Sequence, residues 1–110
     1  MGIIENFESL LAHGQDNALL RYSLGHEYAK IADWSSSRPH LEQALRLDPR
    51  YSAAWKLLGK VQQELGDLEG ALAAYDSGIA AARDRGDIQA AKEMEVFRKR
   101  VVKRLMEGQA

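Results

Sequence analysis

The stretch WKLLGKVQQELGDLEGALAAY, residues 55–75, decides the fold. Ala54, Trp55, Leu58, Val61 and Leu65 recur at steps of 1, 3, 3 and 4, which puts them on one face of a helix. Leu68, Leu72, Tyr75 and Ile79 form a second stripe of the same kind. Between them, Gly66 is placed to end the first helix and Asp67 to cap the second. Gly59 lies inside the first helix, where glycine costs about 1 kcal/mol relative to alanine. That cost is explicable if a neighbouring helix presses against bare backbone there.

The pattern repeats. A shift of 34 residues lays Leu24-Gly25 on Leu58-Gly59 and Asp33 on Asp67. It also pairs Ile31 with Leu65, Ala32 with Gly66, Trp34 with Leu68, Leu41 with Tyr75, Ala44 with Gly78 and Leu45 with Ile79. Identities are few; the residue types carry the case. Trp55-x2-Leu58-Gly59, Gly66-Asp67, Ala71 and Tyr75 follow the signature W-x2-L-G-x2-Y…A-x3-F…P, and the earlier unit supplies Leu24-Gly25-x2-Tyr28, Leu41, Ala44 and Asp48-Pro49. The chain therefore resembles the tetratricopeptide-repeat (TPR) family from Ala18 to Arg85. Arg21, Gln62, Ser37 and Arg83 depart from the signature's Trp, Tyr, Ala and Pro. The resemblance implies an all-α fold, a right-handed superhelix of antiparallel helix pairs.

The flanks extend the same arithmetic. Ile3, Ile4, Phe7, Leu10 and Leu11 form a short amphipathic helix, with Phe7 one repeat before Leu41 and Leu11 one before Leu45. It reads as the second half of a truncated repeat, with Asp16 or Asn17 capping the helix after it. Beyond Gly86-Asp87 a long helix runs to about Glu107, with the stripe Ala90, Met94, Phe97, Val101 and Leu105. Lys92 and Glu93 stand where the repeat has Leu and Gly, so this segment reads as a terminal cap. The expectation is about six helices in one domain: a half-repeat over 1–17, repeats over 18–51 and 52–85, and a capping helix over 86–110. Asp48-Pro49 ends one helix and Ser52 is expected to cap the next. Pro39 is awkward. A helix capped by Asp33 carries it past the first turn, so a later start among Ser35, Ser36 and Ser37 is expected.

Composition excludes several function classes. The chain has 110 residues, 28% charged, and a net charge of -1, which exerts no global pull toward nucleic acid or anionic lipid. With no cysteine, disulfides, thiol catalysis and thiolate metal sites are absent. His13, His26 and His40 are too far apart to build a zinc face, so no metal or cofactor is expected. No stretch reaches the length of a membrane helix, and Glu5 and Glu8 near the start argue against a secretory signal. Asn6 stands where a myristoylation motif wants Ser or Thr. A bacterial-type cytoplasmic location is expected. Glu42, Glu69 and Asp76 read as isolated surface acids, with no acid/base pair and no catalytic residues, hence no enzyme.

What remains is an interaction module. The TPR resemblance implies a concave groove lined by the first helix of each repeat. Carried onto this chain, its candidates are Tyr22, His26 and Lys30, then Lys56, Lys60 and Gln63. Lys56 and Lys60 are i,i+4 neighbours on one face. Two ammonium groups beside an aromatic ring and a histidine suit an acidic peptide or a C-terminal carboxylate. The carboxylate clamp of chaperone-binding TPR domains is not reproduced. Lys56 matches its first lysine, but Lys60 replaces an asparagine and no third repeat follows. The alternative surface is Arg98 to Arg104, with five cations in seven residues, which would serve RNA or an anionic surface. No aromatic residue follows Phe97 to stack a base, so a solvated helix face is preferred and nucleic acid is not expected. A monomer or weak dimer is expected, with a homo-oligomer subunit as the further alternative.

Overall fold

The computed structural model describes residues 2–108. Six helices follow one another: α1 (Ile3–Ala12), α2 (Ala18–Lys30), α3 (Trp34–Leu47), α4 (Ser52–Glu64), α5 (Leu68–Asp84) and α6 (Ile88–Gly108). No strand occurs among the described residues. The strongest packing is α2 on α3, α4 on α5 and α5 on α6. Helices α2, α4 and α6 lie side by side as an inner layer, and α3 and α5 back them.

The turns are built alike. Four of them close with a bond from the residue past the turn to a carbonyl five positions back: Gln15 to Leu10, Asp33 to Tyr28, Asp67 to Gln62 and Asp87 to Ala82. Gly14, Gly66 and Gly86 take the positive φ this closure demands. Ala32 occupies the equivalent place with φ 59°, a conformation that strains an L side chain. In three of these turns the next residue caps the following helix. Asp33 accepts from Ser36 N–H, Asp67 from Gly70 N–H and Asp87 from Ala90 N–H. Asn17, one of the two expected caps, accepts from Leu20 N–H.

Two expectations fail here. Helix α3 begins at Trp34 with Asp33 as its cap, not among the serines, and Pro39 lies inside it. The start is fixed by the Asp33 cap and by Ser37, whose buried hydroxyl donates to the Gly25 carbonyl at 2.6 Å. Proline deprives the Ser35 carbonyl of its donor. Ser35 and Pro39 are both exposed, so that carbonyl stays within reach of water. Helix α4 is preceded by Tyr51, which makes no side-chain cap bond. Ser52 is already helical and buried, while Asp48 caps the turn itself by accepting from Arg50 N–H.

Two apolar clusters fill the interior. One joins Leu41, Ala44 and Leu45 of α3 to Ala54, Leu58 and Val61 of α4. The other joins Ala71, Tyr75 and Ile79 of α5 to Ala90, Met94 and Val101 of α6. Trp55 packs against both, and its indole N–H donates to the Pro49 carbonyl at 2.8 Å. The glycines inside helices are contact points. A Cβ on Gly25 would fall 2.6 Å from Leu41 Cγ, one on Gly59 would run into the Tyr75 ring, and one on Gly78 would fall 2.5 Å from Met94 Sδ. Backbone meets side chain there without room for a methyl group.

A polar chain ties the N-terminal end together. Asp16 accepts two bonds from Arg21, at 2.8 and 3.0 Å. Arg21 lies 3.1 Å from His40 Nδ1, and His40 Nε2 lies 3.3 Å from Glu8 Oε1. A guanidinium only donates, so Nδ1 accepts and the ring proton sits on Nε2, facing the buried Glu8 oxygen. Tyr28 stacks parallel on the ring at 5.7 Å. Burial, aided by Arg21, holds His40 below its usual range against the pull of Glu8 and Asp16.

Candidate partner-binding groove

The inner layer encloses a groove of about 480 Å³. Helix α2 contributes Tyr22 and His26, and α4 contributes Ala53, Lys56, Leu57, Lys60 and Gln63. Tyr75 of α5 forms part of the floor, and Phe97 and Arg100 of α6 close the far wall. The spacing of Lys56, Lys60 and Gln63 at i, i+4 and i+7 holds all three on one face. Five of the six residues singled out in the sequence thus lie together. Lys30 does not. It sits in the last turn of α2, 3.3 Å from Glu27, away from the groove lining.

The floor is aromatic and ordered. Tyr22 packs on Tyr51 with ring centroids 4.9 Å apart, and Tyr75 packs on Phe97 at 5.9 Å. The Tyr75 hydroxyl donates to Gln63 Oε1 at 2.6 Å. Burial pushes Tyr75 up to about 12, so the phenol stays protonated and keeps that bond through the physiological range. With its oxygen engaged, the Gln63 amide presents N–H donors to the groove. Arg100 lies over the Phe97 ring at 5.8 Å, a cation–π contact that fixes the guanidinium at the mouth. Lys56 is 3.5 Å from Glu93, and Lys60 is 3.5 Å from Glu64. Neither acid lines the groove, and no carboxylate does among the described residues.

Phe97 and Arg100 are the functional candidates that sequence reading missed. Phe97 stands 34 residues after Gln63, so the repeat spacing marks it for the groove. Lys92 and Glu93 disguise that register, and the run of charges around Arg100 reads as a solvated face. The basic run is in fact divided. Arg98 bonds Asp76 of α5, which is therefore not an isolated acid, Arg100 turns to the groove, and Lys99, Lys103 and Arg104 are exposed. Among the described residues there is no cluster of acids and histidines that could hold a metal ion, and no helix is long and apolar enough to cross a membrane.

The helix pairs, the close contacts at Gly25 and Gly59 and the groove define a helical-repeat fold. The sequence profile of the tetratricopeptide repeat matches residues 22–86, and the chain belongs to that family. It is similar to the TPR repeat-containing protein PA0015 of Pseudomonas aeruginosa, 50% identical over 95 residues, covering 86% of this chain and 90% of that protein. The solution structure of protein BPP2914 from Bordetella parapertussis superposes with a TM-score of 0.81 at 48% identity, over 94% of this chain and 90% of that one. The Aspergillus fumigatus heat-shock protein cognate co-chaperone sgt12 is 29% identical over 85 residues, 77% of this chain but only 23% of the co-chaperone. The fold is thus the right-handed TPR superhelix of antiparallel helix pairs.

Proposed function

We propose that the chain is a non-enzymatic interaction module whose groove takes an acidic segment of a partner protein. One observation carries this reading. Lys56, Lys60 and Arg100 converge over an aromatic floor in a cleft that no carboxylate lines among the described residues. A peptide with acidic side chains or a free C-terminal carboxylate meets the cations, and an apolar side chain between them meets Tyr22, Leu57 and Phe97. TPR domains generally mediate protein–protein contacts, and the resemblance to a co-chaperone supports a partner-binding role. The carboxylate clamp is absent, so a chaperone tail is not the ligand proposed. The location expected for such a module is the cytoplasm.

A display library of random peptides tests the reading. Selection on this chain should enrich acidic sequences with a large apolar residue. The combination Lys56→Glu, Lys60→Glu and Arg100→Glu should abolish their binding with only a small change in melting temperature, since each surface change is worth within about 0.5 kcal/mol. Enrichment of basic or charge-free sequences, or binding that survives the reversals, refutes it.

A further inference from the structure

Helix α1 carries a face that both complete helix pairs bury. Ile3, Phe7, Leu10 and Leu11 stand 34 residues before Ser37, Leu41, Ala44 and Leu45, and a further 34 before Ala71, Tyr75, Gly78 and Ile79. All eight of those counterparts are buried. Ile3, by contrast, is 50% exposed and Leu10 40%. In each complete pair the residue at the Phe7 position lies on a glycine of its first helix, Leu41 on Gly25 and Tyr75 on Gly59. Among the described residues no such helix lies against Phe7: α1 packs on α2, with Glu8 reaching His40 of α3. A notch of about 190 Å³ remains there, lined by Ile3 and Phe7 of α1 and by Tyr22, Ser23, His26 and Glu27 of α2.

We propose that this notch is a second docking site, and that its occupant is an amphipathic helix of a partner protein which completes the half-repeat. The chemistry of that helix follows from the contact it must reproduce. It carries a glycine opposite Phe7, because even a methyl group has no room in the equivalent contacts. A large apolar residue precedes that small one, as Leu24 precedes Gly25 and Leu58 precedes Gly59. Basic residues flank the stripe, because the notch has Glu27 in its lining and exposed Glu5 on the same short helix. A second copy of this chain does not fit. Its α2 and α4 already spend their Leu-Gly faces internally, and its α6 offers Lys92-Glu93 at that register. This site adjoins the groove, sharing Tyr22 and His26 with it, but is lined by none of the groove's lysines or Arg100 and does not depend on the groove's ligand.

The test uses the intact chain and a labelled synthetic peptide with the sequence of residues 50–66, which contains Leu58-Gly59 flanked by Lys56 and Lys60. Fluorescence anisotropy should show saturable binding. A peptide with Gly59→Leu should bind at least tenfold more weakly. So should the wild-type peptide on protein carrying Phe7→Ala. Leu10→Glu, at a position already exposed, is the second variant and should weaken binding without altering the circular dichroism spectrum. Lys56→Glu with Lys60→Glu in the protein should leave peptide binding unchanged, which separates this site from the groove. No binding up to about 1 mM peptide, binding indifferent to Phe7 and Leu10, or a dimer in sedimentation that Leu10→Glu dissociates would each overturn the proposal.

Discussion

Gly25→Ala should destabilise the native chain and stabilise a chain that lacks the Leu41 side chain. The new Cβ would fall 2.6 Å from Leu41 Cγ and Cδ2. Leu41 is fully buried, so it cannot swing into solvent to make room. Overpacking of this kind costs about 1–3 kcal/mol, while alanine inside a helix gains about 1 kcal/mol over glycine. The net in the native chain is a loss of up to about 2 kcal/mol. Leu41→Ala alone leaves a cavity and should cost about 2–5 kcal/mol. It also removes both clashing atoms, leaving the Ser37 carbonyl oxygen, at 3.4 Å, as the nearest neighbour of the new Cβ. In that background Gly25→Ala keeps its helical gain and fills part of the cavity, recovering about 1 kcal/mol. Urea unfolding of the four proteins, followed by far-UV circular dichroism, reads the sign directly. With a slope of about 1–3 kcal/mol per molar, 1 kcal/mol moves the midpoint by about 0.3–1 M. An equal effect of Gly25→Ala in both backgrounds, or stabilisation of the native chain, would refute the packing argument for the Leu-Gly pair.

Other expectations concern the cap, the polar chain and the groove. Ending the chain after Gly86 should unfold or aggregate it, because Met94 and Val101 are fully buried against α5; a cooperative melt at the full-length temperature would show that α6 is dispensable. Met94→Ala should cost about 2–5 kcal/mol in the same unfolding assay, and a change below about 1 kcal/mol would contradict its place in the core. His40 is held below its ordinary value, so the unfolded chain binds the extra proton first. Stability should therefore be complete above about pH 6.5 and fall on acidification below it, and His40→Gln should flatten that slope; an unchanged slope would remove His40 as the cause. Peptide affinity in the groove should decline as salt rises from about 0.01 to 1 M, since screening shortens the reach of Lys60 and Arg100; salt-independent binding would point to apolar contacts alone.

Much of the fold was legible because its rules are local. Apolar spacing located all six helices, and glycine followed by Asp marked two of the turns. Where the sequence misled, two local rules competed. Pro39 argued for a late start to α3, but the Asp33 cap and the Ser37 bond to Gly25 act across a turn and between helices, and they prevail. Ser52 has the chemistry of a cap yet lies one residue inside the helix, because Asp48 had already closed the turn. The groove was legible on α4, where three polar residues share a face. It was hidden on α6, whose placement beside α4 is a tertiary fact. Phe97 reads equally well as core or groove, and it serves both, packing on Tyr75 and lining the cleft.

The central claim is that partners are read by the concave face. The most direct measurement is a two-dimensional nitrogen–proton NMR titration of the labelled chain with an acidic peptide taken from the display selection. Backbone signals of His26, Lys56, Leu57, Lys60, Gln63 and Arg100 should shift in proportion to saturation. Those of Ala80, Arg83 and Glu95, on the opposite edge between α5 and α6, should stay in place. Shifts concentrated on that edge, or on Lys99, Lys103 and Arg104 with the groove unmoved, would contradict the account.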